Sequence, residues 1–402
     1  MKKRKLALSA LIIFLSSQTF YTQQTSVAKD STTYKKRKLK IEEINFTSGY
    51  YQQDGDNAAV TGGVGDEHLT DVATTLNLSL SKYDKYNRKH GLKVELGVDV
   101  YSSASSDKID PSTVSSASKG DVRVYPSLQY SLENNEKRYA IGGGLSFSQE
   151  YDYSSIGGNF QYSKWSKSKN SEITAKASIF LDHWKVIYPI ELRPTDAISE
   201  GLSKNEPRNS YNLGIIFSQV VNHNLQMSIL ADWAYQDGLL ATKFHRVYFN
   251  DGSLKSENLP DKRTKIPLGI RANYFLGDNI VLRSFYRYYW DDWDIKAHTI
   301  SLEASYKITP FTSFAPFYRY YTQSAAEYFA PYMAHHPSDT YYTSDYDLSK
   351  FNSNMFGFTA RFSNLGDSSF LKRLNALELR YAYYKRSNNL NAHNITVSFN
   401  FK

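Results

Sequence analysis

The sequence predicts an all-β chain, a transmembrane antiparallel β-barrel of about 16 strands with short periplasmic turns and longer extracellular loops. Three observations carry this. Apolar and polar residues alternate over stretches about twice the ~5–6 residues of an ordinary strand. Connections are tight and often long in turn along the chain. Aromatic residues are abundant, with 33 Tyr, 22 Phe and 5 Trp making 15% of the 402 residues, which suits β-structure and interface girdles.

Composition removes the main competitor. A mean hydropathy of −0.52, with no apolar run long enough to span, excludes a helical membrane protein. A barrel escapes that test because only every second residue need be apolar. The length would allow two or three ordinary domains, yet the texture is uniform and no linker interrupts it. The absence of cysteine removes lipoprotein attachment, disulfides and thiolate chemistry.

The N-terminal stretch "MKKRKLALSALIIFLSSQTFYTQQ" has a basic start, an apolar middle and a polar exit. It reads as a secretory signal peptide over residues 1–23, cleaved near Thr22 to Gln24, although no A-x-A motif marks the site. A short anchor is the rival reading, but the apolar part falls below the ~20 residues a spanning helix needs. Residues 24–39 read as a short polar periplasmic extension, and 40–402 as an outer-membrane barrel. Losing Lys2, Lys3, Arg4 and Lys5 lowers the formal charge from +8 to +4. The cluster "KKRKLK" at 35–40 could contact nucleic acid, but in an exported chain a solvated tail is the better reading.

From Lys40 onward the alternation recurs. A first strand lies near Ile41–Tyr50. Val72, Thr74, Leu76, Leu78 and Leu80 form one apolar row, and Leu92 to Val100 form the next. "VRVYPSLQY", "RYAIGGGLSF", "GGNFQYSKW" and the row Ile173 to Leu181 follow. Then come "SYNLGIIFS", "LQMSILADWAY" and "KIPLGIRANYFL". After the hairpin below, "TSFAPFYRYY", "NMFGFTARF", "ALELRYAYY" and "ITVSFNF" complete the set. Tight links ("DKYNRK", "ENNE", "SKNS", "NHN", "GDN", "TPF") face connections at 54–70, 104–121, 183–208, 236–264 and 322–352, with shorter ones near 154–157, 290–295 and 386–392. A sandwich or propeller would not sort loop length by parity; a transmembrane barrel does.

The hairpin "IVLRSFYRYYWDDWDIKAHTISLEASYKI" at 280–308 shows the pattern most clearly. His298, Ile300, Leu302, Ala304, Tyr306 and Ile308 share one face; Thr299, Ser301, Glu303, Ser305 and Lys307 share the other. With the turn centred near Trp293, antiparallel pairing sets Arg283 opposite Glu303, Phe285 opposite Ser301 and Arg287 opposite Thr299. A one-residue slip would turn every side chain over, so the pattern excludes odd slips. The last stretch places Ile395, Val397, Phe399 and Phe401 on one face. Phe399 and Phe401 resemble the C-terminal assembly signal of outer-membrane barrels, although Lys402 follows.

Several stretches together resemble a known family, domain of unknown function 3570, found in exported proteins of Gram-negative bacteria. They are "AVTGGVGDEHLTD" (59–71), "HRVYF" (245–249), "LPDKRTK" (259–265), "YRYYWDDWDIKAHT" (286–299) and "TSDYDLSKF" (343–351). The resemblance implies an outer-membrane barrel of unestablished role. A genomic setting of relatives beside flavin-transferase and thioredoxin-like genes points toward envelope redox physiology, without a mechanism.

Catalytic and metal motifs are sparse. "TGGVGDE" (61–67) lacks the lysine and helix of a phosphate loop. "DGDNAAVTGG" places Asp54 and Asp56 like a calcium loop, but Ala58 occupies the third ligand position. His335 and His336, with Asp339, Asp345 and Asp347 nearby, are the metal candidates. Adjacent histidines on an extended chain point to opposite sides, so solvated loop residues are the default and no metal is expected. His298 on the apolar row has no assigned serine partner and no Gly-x-Ser-x-Gly exists, so an interface histidine is the better reading. No catalytic residue and no cofactor are expected.

The inward rows are more informative. In the second half they carry Arg271, Arg283, Arg287, Lys307, Arg319, Arg361 and Arg380 against Glu303 and Glu378. Lys93 and Lys176 against Glu95, Asp99 and Glu172 leave the first half more balanced. Either this ladder fills a plugged interior, or it lines a water-filled, anion-leaning path. The leading expectation is a porin-like passive channel. A non-conducting scaffold or binding barrel serving a periplasmic partner system, and an enzyme acting on lipid or surface polymer, are the alternatives. Expected partners are outer-membrane lipid, the barrel-assembly machinery and small solutes, with no nucleic acid.

Overall fold

A computed structural model describes residues 37–102, 120–193, 205–363 and 373–402. The expected leader, its cleavage site and most of the extension lie outside the described residues. Sixteen strands form one closed antiparallel barrel. They are β1 (Lys40–Asp54), β2 (Leu69–Tyr83), β3 (Lys89–Ser102), β4 (Gly120–Asn134), β5 (Tyr139–Gln149), β6 (Tyr153–Trp165), β7 (Ser171–Lys185), β8 (Asn205–Val220) and β9 (Leu225–Gly238). After a loop hairpin, β10 (Arg246–Tyr248) with β11 (Leu254–Ser256), come β12 (Lys262–Leu276), β13 (Ile280–Asp291), β14 (Lys296–Thr309) and β15 (Thr312–Gln323). The wall ends with β16 (Phe351–Ser363), β17 (Leu374–Arg386) and β18 (Asn391–Phe401).

Each barrel strand pairs with the next barrel strand along the chain, and β1 also pairs with β18, so the barrel leaves no backbone edge open. A 13-residue strand such as β6 rises ~3.3 Å per residue and, tilted by about 40°, spans ~33 Å. The outward rows are apolar around the ring: Leu145, Ile156, Leu213, Ile229, Leu302, Ile308 and Phe356 all stand exposed. In water that belt would carry a large penalty; in lipid it is the favourable surface. No helix among the described residues is long and apolar enough to cross a membrane.

Three details differ from expectation. The short connection placed near 154–157 lies at 150–152, because β6 begins at Tyr153 and runs through Gly157 and Gly158. These glycines read as a turn in the sequence, but at Gly157 an added Cβ would lie 2.8 Å from the Phe180 ring and 2.4 Å from Ser146 Oγ. The glycine makes room for an inward aromatic. Strands are also longer at their ends than the alternation alone marks, as β1 reaches Asp54. Finally, the connection at 236–264 contains its own hairpin, β10–β11.

The closing seam has an aromatic contact. Phe399 lies opposite Phe46 in the register, with ring centroids 6.3 Å apart, and Phe401 lies opposite Ile44. Changing both Phe399 and Phe401 to Ser removes two outward aromatics from this seam, at about 1.5–3 kcal/mol each. The expected result is a smaller fraction of heat-modifiable, folded barrel on gels. An unchanged folded fraction would count against a seam role for both rings.

Candidate functional site

The site has two parts, an arginine-rich inner wall and a folded layer of long loops at one end. The wall follows from register. Across β12 to β17 successive inward residues meet in rungs: Arg271, Phe285, Ser301, Arg319, Met355 and Tyr384 form one. The next rung toward the short turns holds Arg283, Glu303, Phe317 and Gly357.

Neutralisation along this wall is uneven. Arg283 and Glu303 lie directly opposite and form an ion pair. Arg361 lies opposite Glu378. Arg380 donates to Thr359 Oγ1 at 2.9 Å, and its guanidinium stands 4.1 Å from the Phe317 ring centre. Gly357 permits this, since an added Cβ would sit 2.8 Å from Phe317 Cζ. Arg271 packs 5.8 Å from the Phe285 ring and Arg287 5.9 Å from that of Tyr289. Arg287 faces Gly269 and Thr299 in the register, as expected from sequence, with no carboxylate directly opposite. Its charge is felt by Asp232 on β9, which also faces Lys176. Arg319 lies between Ser301 and Met355. Lys307 sits at the short-turn end, exposed beside the irregular pairing with β15.

Sequence reading overlooked Asp232. It occupies an inward position of β9 in the row Gln226, Ser228, Leu230, Asp232, so the alternation could have found it.

The loop layer is built on the inward residues of the rim. Asp291 is fully buried and accepts from four donors. Its Oδ1 takes the Trp293 N–H at 3.1 Å and the Ile295 N–H at 2.9 Å. Its Oδ2 takes the Tyr289 hydroxyl at 2.6 Å and the Arg263 guanidinium, with Nε at 3.0 Å. Trp293 is 1% exposed, lies 4.2 Å beneath the Arg263 guanidinium and donates its indole N–H to Lys262 O at 3.1 Å. Asp292 caps the Thr264 N–H at 2.8 Å, and Asp294 turns the chain with φ of 62°. The "WDDWD" stretch is thus a rim hub, which explains its aspartates without invoking chemistry.

Around Trp293 pack Leu240, Ala241, Leu259, Ile295, Ala326 and Leu348, an apolar core made by loops 239–261, 292–295 and 324–350. Arg246 ties two further segments to loop 239–261: it donates to Val60 O at 3.0 Å and holds Glu191 through two bonds of 2.6 and 3.0 Å. The layer is fastened to the rim by Arg386, paired with Asp347 at 2.6 Å, and by Gln323, which donates to Ser349 O at 2.6 Å. In the same layer burial lowers the pKa of Lys243, opposed by the nearby Glu257 charge.

The sequence-nominated histidines do not come together. His335 is buried, with Nδ1 3.3 Å from Asp339 and Nε2 3.0 Å from Thr343 O. His336 is exposed and bonds Asn250. The His336 N–H, ahead of the His335 ring, holds the Asp339 carboxyl below its usual range. Asp347 serves Arg386, and Asp345 lies instead beside a histidine that sequence reading passed over, His245. His298 points outward and bonds the Tyr286 hydroxyl at 2.9 Å, without a serine.

A model of the family described as "Protein of unknown function (DUF3570)" matches residues 4–398. No curated protein matches the chain. Among solved structures, a BenF-like porin from Pseudomonas fluorescens Pf-5 is similar with a TM-score of 0.43 and 8% identity, over 89% of this chain and 98% of its own. OccAB3 of Acinetobacter baumannii is similar with a TM-score of 0.42 and 11% identity, over 89% and 98%. CdiB from Acinetobacter baumannii gives 0.45 and 9%, over 91% of this chain and 66% of its own.

Proposed function

The chain belongs to the DUF3570 family of proteins of unknown function, and on that premise we propose that it is an outer-membrane barrel acting as a passive, anion-leaning channel. One observation carries this reading. Below the rim, the inner wall from β12 to β17 carries Arg271, Arg283, Arg287, Lys307, Arg319, Arg361 and Arg380, and the strand register sets Glu303 opposite Arg283 and Glu378 opposite Arg361. Guanidinium groups along one side of a wet passage keep a positive potential there, because they do not deprotonate. The short turns then face the periplasm and the loop layer faces outward, narrowing the entrance on the side of β12 to β17.

Planar-bilayer recording under a salt gradient tests it. The expected result is discrete conductance steps with a reversal potential displaced toward the anion. A barrel that inserts and stays silent, or one that prefers cations, would overturn it.

The loop layer favours a second reading, a non-conducting barrel that presents a rigid surface to a partner. Its apolar core and its rim contacts Arg386–Asp347 and Gln323–Ser349 give it the rigidity a docking surface needs. A wild type that is silent, but conducts once residues 324–350 are shortened, would favour this second reading.

A further inference from the structure

Within the loop layer one buried cluster has no part in the wall or the rim hub. His245 precedes β10, Glu257 follows β11, and Asp345 comes from the loop 324–350, so the three meet at the open end of the hairpin. Their side chains are 5%, 0% and 4% exposed. His245 Nδ1 lies 3.7 Å from Glu257 Oε1 and 4.0 Å from Asp345 Oδ2. Neither distance is a hydrogen bond, and this buried ring nitrogen has no hydrogen-bond partner among the described residues.

The surrounding groups leave that gap unexplained. Glu257 accepts from the Thr343 hydroxyl at 2.6 Å and from the Thr242 N–H, and Asp345 accepts from the Asp347 N–H at 2.9 Å. Lys243 turns its ammonium to Glu257 O and Asn258 Oδ1, at 3.0 and 3.2 Å, rather than to either carboxylate. Two buried carboxylates with an imidazole nitrogen aimed at them are costly unless a cation lies between.

We propose that His245, Glu257 and Asp345 form a site for a divalent transition-metal ion of the zinc class. One ligand atom from each residue lies within 4.8 Å of the others. Metal bonds of about 2.0–2.2 Å at tetrahedral angles set donor atoms ~3.4 Å apart, so closure draws the His245 nitrogen toward each carboxylate by a few tenths of an ångström and the two carboxylates together by up to ~1.4 Å. Imidazole with two carboxylates suits zinc-like ions, and a dication balances two carboxylates beside a neutral imidazole. Burial of all three residues leaves a substrate no approach, so the ion is structural. It fastens the β10–β11 hairpin to the loop 324–350, independently of whether the barrel conducts.

The test uses the full chain in mild detergent, stripped with EDTA, equilibrated with zinc and desalted before elemental analysis. Wild type and the exposed-histidine control His336→Ala should retain about one zinc per chain, while His245→Asn and Asp345→Asn lose it. Chelation should also speed proteolysis of the loop layer in wild type, but not in the two variants. No retained zinc in wild type, or equal zinc in His245→Asn, overturns the proposal. If the variants fail to close into barrels, wild type decides alone: proteolysis and melting indifferent to zinc and EDTA overturn it, and protection by zinc supports it.

Discussion

Arg287→Glu is expected to lower the anion-to-cation permeability ratio several-fold at low salt, with Arg287→Gln intermediate and Arg283→Glu changing it less per folded barrel. The difference comes from what each arginine faces. Arg283 is committed to Glu303 across the β13–β14 pair, so its reversal sets like charges opposite one another and shows mainly as lost assembly. The native pair is part-exposed, at 41% and 26%, so its loss costs about 1 kcal/mol or less, with repulsion added. Arg287 has Thr299 and Gly269 opposite in the register, and the Asp232 charge on β9 moderates its field. Reversing it changes the wall by two unit charges, each worth ~1 kcal/mol to an ion ~4 Å away in water, before screening. The effect should shrink as salt rises toward molar concentrations, where the screening length falls to ~3 Å. Unchanged selectivity in a conducting Arg287→Glu barrel, or equal loss of folded protein in both reversals, would falsify this division of labour.

The wall was legible in the sequence because a period of two sorts every residue to one face, and the Trp293-centred turn then sets the pairing. Arg283–Glu303, Phe285–Ser301 and Arg287–Thr299 all occur as that arithmetic requires. Strand number followed from the same alternation. The loop layer was not legible, for a different reason. Its contacts join residues far apart in the chain, such as Arg246 with Val60 across 186 positions, and its segments follow no repeating period. His245 had no signal of its own, since Glu257 closes on it only when its hairpin forms and Asp345 only when the loops 239–261 and 324–350 fold together. Glycine was the other source of error: Gly157 marks a crowded wall position, not a turn, and composition alone cannot tell these apart.

Asp291→Ala is expected to be the most damaging single change in the rim. The carboxylate is fully buried, and its partner Arg263 has an 11% exposed side chain. Removing it leaves a buried guanidinium without its charge partner, at about 3–5 kcal/mol. It also strips acceptors from the Trp293 and Ile295 amides and the Tyr289 hydroxyl. Trp293 would lose its anchor in the core it shares with Leu240, Leu259 and Leu348, and the layer would detach from this side of the rim. The barrel itself rests on sixteen paired strands, so it should still close and migrate as a heat-modifiable band. The loops 239–261 and 324–350 should become protease-sensitive, and conductance should rise or fluctuate. Asp292→Ala is the matched control, because it removes only the exposed cap on the Thr264 N–H, worth ~1 kcal/mol. Equal protease resistance in Asp291→Ala and wild type would mean the layer is held by its other contacts, Arg386–Asp347 and Arg246–Glu191 foremost.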